Sequence, residues 1–349
     1  MISLKKFLPG IILCFIFGIP AWFLGNMFPI VGSPVIGIII GMLVIMFFPK
    51  VLSANLFTNI FTGASFEGGV KYTSKKILQY SIILLGFSMN LFHVLQVGTE
   101  SLSIIVCTLT ASFITAYFVG KMLGVEGKMT TLIGVGTSIC GGSAIAATAP
   151  VIKAKDADVA HAISTIFLFN IIAVFIFPAL GTAFGMSDIG FGMWAGTAIN
   201  DTSSVVAAGA AWSNMSGNDT ALAYATIVKL TRTLMIVPIT LVLAIFTARN
   251  ARKNQESEKS FSIASVFPWF VLWFLVTALL NTFLKLGAVS DIFVVAGKYM
   301  IVMAMVAIGL NTDLKKLIKN GFKPIFLGVC CWSAVAIASL LVQRIIGIW

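Results

Sequence analysis

Apolar residues run along this chain in long blocks separated by short polar or charged stretches. A helix needs about 20 predominantly apolar residues to cross a bilayer, so the pattern predicts an all-α polytopic membrane protein. The predicted spans are Phe7–Asn26, Val35–Pro49, Ile77–Phe92, Leu102–Val119, Val159–Phe184, Ala221–Thr247, Val266–Leu286, Phe293–Leu310 and Pro324–Ile346. Between them lie an uncharged Pro/Gly turn at Pro29–Pro34, a lysine-bearing connection at Lys50–Lys76 and a basic turn at Lys121–Lys128. Charged turns follow at Lys153–Asp158 and Gly185–Ile189, a polar one at Ser213–Thr220, and one long charged run at Arg249–Ser260.

Two further apolar blocks, Thr130–Val151 and Gly190–Trp212, are interrupted. The first holds Gly136-Thr-Ser-Ile-Cys-Gly-Gly-Ser-Ala-Ile145, with three glycines, three hydroxyls and a thiol where a membrane helix should be. Glycine lowers helix stability by about 1 kcal/mol relative to alanine. Non-helical backbone at membrane depth is tolerated only where protein covers it or a wet cavity receives it. The stretch therefore predicts a broken membrane helix that lines a site. The second block repeats it as Gly196-Thr-Ala-Ile-Asn-Asp-Thr-Ser-Ser-Val205. Gly136 aligns with Gly196, Thr137 with Thr197, Ile139 with Ile199, Ser143 with Ser203 and Ile145 with Val205. Two interrupted segments in related positions mark the binding site of a secondary transporter. The plainer reading is two small-residue faces that let helices pack closely.

Composition agrees with a membrane-embedded chain: of 349 residues 59% are hydrophobic and 10% charged, with mean hydropathy +1.04. This leaves a single membrane domain and no separate soluble one. Residues 76–247 and 293–349 are the expected core, and 7–49 and 266–286 the expected scaffold. The net charge of +11 would suit nucleic acid, but the basic residues fall in loops, where the positive-inside rule accounts for them. Five cysteines lie in apolar segments without metal-ligand spacing, so neither a disulfide framework nor a metal site is expected. Met1–Lys6 and the apolar run after it lack a convincing small-residue cleavage site and read as a retained first helix.

Loop charge sets the expected orientation in a plasma membrane, with the N-terminus cytoplasmic and the C-terminus outside. With both broken blocks taken as re-entrant hairpins beside nine spans, only Lys285, Lys298 and Arg344 of the 23 Lys/Arg fall outside, while Lys229 and Arg232 lie within a span. One hairpin then enters from each face, so the two copies are inverted. A second self-match points the same way: Leu85-Gly-Phe-Ser-Met-Asn-Leu91 resembles Ile308-Gly-Leu-Asn-Thr-Asp-Leu314, with Lys75 against Lys298 and Gly98 against Gly321. The expected fold is an inverted-repeat secondary transporter with two discontinuous or re-entrant helical segments.

Of the 12 acids only Asp201 falls inside an apolar segment, and an intramembrane charge is a functional candidate by default. Lys229 and Arg232, spaced i, i+3, share one helix face. Either they form a cationic patch for an anion, or they are counter-charges to Asp201. Helix ends at Gly141 and Gly142 would offer backbone N–H groups to an anion. Thr137, Ser138, Ser143, Thr197, Thr202 and Ser203 would add hydroxyl donors. Asp201 with Asn200 and Asn170 would hold a coupling proton or sodium ion, or lock one state. His161 and His93 read as interfacial or solvated, Cys140 as a small buried residue, and Trp194, Trp269, Trp273 and Trp349 as an interfacial belt. There is no G-x-x-x-x-G-K-[ST] loop, no H-E-x-x-H and no Ser/His/Asp pattern, so no ATP drive, no cofactor and no enzyme activity are expected. A channel remains the rival to a transporter.

The run Gly136–Pro150, then Thr165, Gly196–Gly209, Lys229 and Arg232, resembles the YeiH-type sulfate exporter family, grouped with cation:proton antiporters and anion transporters. The resemblance implies an inverted-repeat transporter with paired discontinuous helices, a small anionic substrate of the sulfate, sulfite or sulfonate class, and a homodimer. Where that family often has His before the acid and Gln shortly after it, this chain has Asn200 and Ser204.

Overall fold

A computed structural model describes residues 7–28, 33–48, 66–253, 268–312 and 321–349, and among these every regular element is helical. In hydrocarbon a helix satisfies its own backbone bonds, which is why a chain this apolar adopts one element type. In chain order the helices are α1 (Leu8–Met27), α2 (Ser33–Phe47), α3 (Phe66–Tyr72), α4 (Leu78–Leu85), α5 (Leu91–Leu123), α6 (Gly127–Ser138), α7 (Gly142–Val151) and α8 (Asp156–Ala183). Then follow α9 (Asp188–Ala198), α10 (Thr202–Ser216), α11 (Thr220–Leu234), α12 (Ile236–Lys253), α13 (Trp269–Leu284), α14 (Ala288–Leu310) and α15 (Phe322–Ile346). Six stretches among the described residues are long and apolar enough to cross a membrane: α1, α5, Ala157–Ala183, Thr220–Thr247, α14 and α15. Shorter apolar helices are α2, α7 and α13. Most of the connections Lys50–Lys76 and Arg249–Ser260 lies outside the described residues.

The structure departs from the hydropathy pattern at several places. Helix α5 begins at Leu91 instead of Leu102 and is 33 residues long, roughly 50 Å at 1.5 Å per residue. Polarity ends an apolar run but not a helix: Gln96 donates to Glu100 one turn on, at 2.8 Å. Helices α3 and α4 are joined by a π turn at Thr73–Ile77, where an extra residue is accommodated without breaking the rod. Thr220–Thr247 is divided at Met235, because Pro238 has no N–H to give the Leu234 carbonyl. Trp194 is corrected from the interfacial belt to the interior. It is buried, stacks on Phe177 with centroids 4.2 Å apart, and donates Nε1–H to the Ala336 carbonyl at 3.2 Å. Trp269 and Trp273 are exposed, as a belt requires.

The chain divides into two compact units. One comprises Met1–Leu95, Val206–Leu222 and Phe270–Asp313. Its centre is α14, packed on α2, α4 and α1 around Val302, Met303, Val306 and Leu310. Helices α2 and α14 cross at Gly41 and Gly309, where a Cβ on either would overlap backbone of the other. Gly309→Val should therefore lower the unfolding midpoint in detergent, by the about 1–3 kcal/mol typical of overpacking. The other unit comprises Gln96–Val205, Ala223–Trp269 and Leu314–Trp349. There α6 packs on α7, α8 and α15 around Leu132, Ile133, Ile145, Ile166 and Leu327.

Candidate functional site

Helix α6 ends at Ser138 and α7 begins at Gly142. Between them Gly141 takes φ +66°, ψ −129°, a conformation open in practice only to glycine. The two helices pack against each other. At their far ends Lys128 donates to the Lys153 carbonyl at 2.7 Å, and Lys155 pairs with Glu126 at 3.7 Å. The first interrupted block is thus folded back on itself. The second breaks between Ala198 and Thr202. Both lie in the second unit, and the two breaks meet there: a Cβ built on Gly141 would be 3.5 Å from the Asp201 Cβ and 3.6 Å from the Asn170 Nδ2.

The C-terminal ends of α6 and α9 are held by two cations from α11, both 0% exposed. Lys229 Nζ donates to the Ile139 carbonyl at 2.6 Å and the Ile199 carbonyl at 3.0 Å. Arg232 donates through Nε to Ser138 at 2.6 Å and through Nη1 to Thr197 at 2.5 Å and Ile199 at 3.3 Å. Its Nη2 reaches the Thr137 carbonyl. The last carbonyls of a helix have no partners within it and carry partial negative charge, so two buried cations are well placed at two such ends. Lys229 joins Ile139 to Ile199 and Arg232 joins Thr137 to Thr197, the same pairs that align in the sequence repeat.

The opposite ends, the N-termini of α7 and α10, are built differently. Asp201 caps α10: its Oδ2 accepts from the Ser203 N–H at 3.0 Å and from the Ser203 hydroxyl, while its own N–H donates to Asn170 Oδ1 at 3.1 Å. Gly142 and Ser143 open α7. A Cβ on Gly142 would meet nothing within 4 Å, and Ser143 is exposed. Asn200 is 0% exposed, yet neither its amide nitrogen nor its amide oxygen has a hydrogen-bond partner. A buried group in that state costs about 1–3 kcal/mol unless water, an ion or a ligand completes it.

The predicted residues thus separate into two groups. Thr137, Ser138 and Thr197 contribute carbonyls to Arg232, while their hydroxyls bond to the carbonyls of Ile133, Val135 and Met193. Thr197 also shares a 2.6 Å bond with Ser339. Gly141, Gly142, Ser143, Asn200, Asp201, Thr202 and Ser203 belong to the breaks or the helix starts, and Asn170, in mid-α8, accepts from the Asp201 N–H. Among the described residues Lys229 and Arg232 make no ion pair with Asp201 within 4.0 Å; the pairs present include Lys71–Glu67, Lys155–Glu126 and Lys298–Asp219. Ser339 was missed by sequence reasoning; a lone serine in an apolar span carries no signal of its partner.

A family model described as Conserved hypothetical protein 698 matches residues 9–328. The UPF0324 membrane protein FN0533 of Fusobacterium nucleatum is 48% identical over 97% of this chain and 98% of its own length. The UPF0324 membrane protein SAG1125 of Streptococcus agalactiae is 50% identical over 99% of each chain. The UPF0324 membrane protein M6_Spy0799 of Streptococcus pyogenes is 48% identical over 98% of each. No solved structure matches.

Proposed function

This chain belongs to the UPF0324 family of membrane proteins, and we propose that it is a secondary transporter moving a small anion of the sulfate, sulfite or sulfonate class, chiefly outward, by alternating access. The observation that carries the proposal is the meeting of two interrupted helical segments, with cations sealing their C-terminal ends and, in the second break, the unsatisfied buried amide of Asn200. Helix dipole ends of about half a charge each cancel between the two starts and the two stops. Lys229 and Arg232 against Asp201 then leave a surplus of about one positive charge, which an anion at the open ends would neutralise. An inside-negative potential favours anion exit by about 2.3 kcal/mol per charge per 100 mV.

In this reading Lys229 and Arg232 fix the two breaks and set the charge without touching the anion. Gly142, Ser143, Thr202 and the Asn200 amide are the proposed anion contacts. Asp201, with Asn170 behind it, is the proposed coupling group for a proton or sodium ion. The resemblance to YeiH-type sulfate exporters supports the substrate class, an inverted repeat of discontinuous segments and a homodimer. Loop charge supports a cytoplasmic N-terminus and an outside C-terminus. The Asp201 carboxylate and the unpartnered oxygen of its sequence neighbour Asn200 favour a second reading, cation-coupled antiport.

Proteoliposomes test both. Saturable flux of sulfate, sulfite or methanesulfonate that responds to a proton or sodium gradient is expected. Ohmic anion conductance, or cation flux without anion flux, would reject the proposal. Gly142→Ala gives a sharper check. Its methyl meets open space, and alanine favours the helix by up to about 1 kcal/mol, so the unfolding midpoint should hold or rise. Anion flux should nonetheless fall about tenfold, the equivalent of 1.4 kcal/mol of lost binding, because the methyl crowds the helix start.

A further inference from the structure

The first unit holds a cavity of about 40 Å³ lined in part by Trp22, Asn26, Asn214, Asp219, Lys298 and Ile301. At 10–15 Å³ per water it has room for roughly three waters, or for a molecule of that size that also fills the mouth. We propose that it is a binding site for a small amino-acid zwitterion, one with an ammonium and a carboxylate separated by one or two carbons. The site is separate from the anion site proposed above, whose residues all lie in the other unit, so either proposal can fail alone.

The charges on the wall select the ligand class. Lys298 Nζ stands 2.9 Å and 2.7 Å from the two carboxylate oxygens of Asp219. Together they contribute one positive and one negative charge. A simple anion drawn to Lys298 would face the Asp219 carboxylate, and a simple cation drawn to Asp219 would face the ammonium. A zwitterion can exchange the internal pair for two intermolecular ones and leave no charge unmatched. The side chains are 32% and 53% exposed, so both can be reached, and an ion pair this exposed holds weakly enough to exchange. The amides of Asn26 and Asn214 add donors and acceptors for both ligand ends. Trp22, its ring set edge-on against Tyr299 at 5.7 Å, and Ile301 give the methylene carbons an apolar wall.

Equilibrium dialysis of the purified full-length protein with radiolabelled glycine tests this. Saturable binding is expected, displaced by β-alanine but not by acetate or methylamine at equal concentration. Lys298→Ala and Asp219→Ala should each weaken binding by about tenfold, the scale of losing one charge-assisted bond. The exchanged double variant Lys298→Asp with Asp219→Lys keeps an ion pair across the same gap, and should recover glycine binding that both single variants have lost. Displacement by acetate or methylamine as effective as by β-alanine would overturn the proposal. So would absence of saturable glycine binding in the wild type, or a folded exchanged variant that fails to recover it.

Discussion

Arg232→Met is expected to destabilise the second unit strongly. The guanidinium is 0% exposed and serves the carbonyls of Thr137, Ser138, Thr197 and Ile199. Methionine fills much of the volume but donates nothing. Each buried acceptor left without a partner costs about 1–3 kcal/mol. Ile199 keeps Lys229, so three carbonyls lose their side-chain donor outright and the loss is on the order of 5 kcal/mol. That is a large part of the margin of a typical domain. Arg232→Lys should be intermediate, because an ammonium cannot reproduce the planar fork that spans both breaks. Lys229→Met should cost less than Arg232→Met, since only Ile139 loses its side-chain donor. Thermal unfolding in detergent, followed by size-exclusion chromatography, reads the order directly. If Arg232→Met were as stable as the wild type and had lost only anion binding, the guanidinium would be a ligand for the anion rather than a clasp between the breaks.

The second large effect is expected at Asp201, on coupling instead of stability. Asparagine caps helices about as well as aspartate, and its side-chain oxygen can still accept from the Ser203 N–H. Asp201→Asn should therefore keep the start of α10 and change the unfolding free energy by no more than about 0.5 kcal/mol. What disappears is the charge that would hold the proposed coupling proton or sodium ion. Anion binding should then lose its dependence on pH or sodium, and gradient-driven flux should fall at least tenfold, roughly the value of a lost charged contact. Proteoliposome flux with and without an imposed gradient checks this. Full gradient-driven flux in Asp201→Asn would remove Asp201 from coupling and leave it as a helix cap only.

The helical class and the placing of most spans could be read from hydropathy alone, because a span must bury about 20 apolar residues whatever its partners. The interruptions were also legible: Gly141 stands where only glycine can turn, and the repeat register reappears in the carbonyls that Lys229 and Arg232 share. The partners of those cations were not. A lysine and an arginine in an apolar span announce that something must compensate them, but carbonyl ends and carboxylates leave the same trace in a sequence. The hydrogen bonds of the Thr137, Ser138 and Thr197 hydroxyls were hidden from the sequence for a related reason. A hydroxyl next to a break is a donor on paper, yet bonding to its own helix carries no sequence mark. Trp194 looked interfacial because it sits near the end of an apolar block, and its stack on Phe177 depends on helices far apart in sequence.

The central claim is that the anion sits at the opening ends of α7 and α10, while Lys229 and Arg232 stay occupied with the closing ends of α6 and α9. A cryo-electron-microscopy map of the protein in nanodiscs with selenate, a heavier stand-in for sulfate, tests it most directly. Density against the Gly142 and Ser143 N–H groups and the Asn200 amide, with both cations still on their carbonyls, is the predicted result. Density lodged between Lys229 and Arg232, with the carbonyls of Ile139 and Ile199 released, would contradict it.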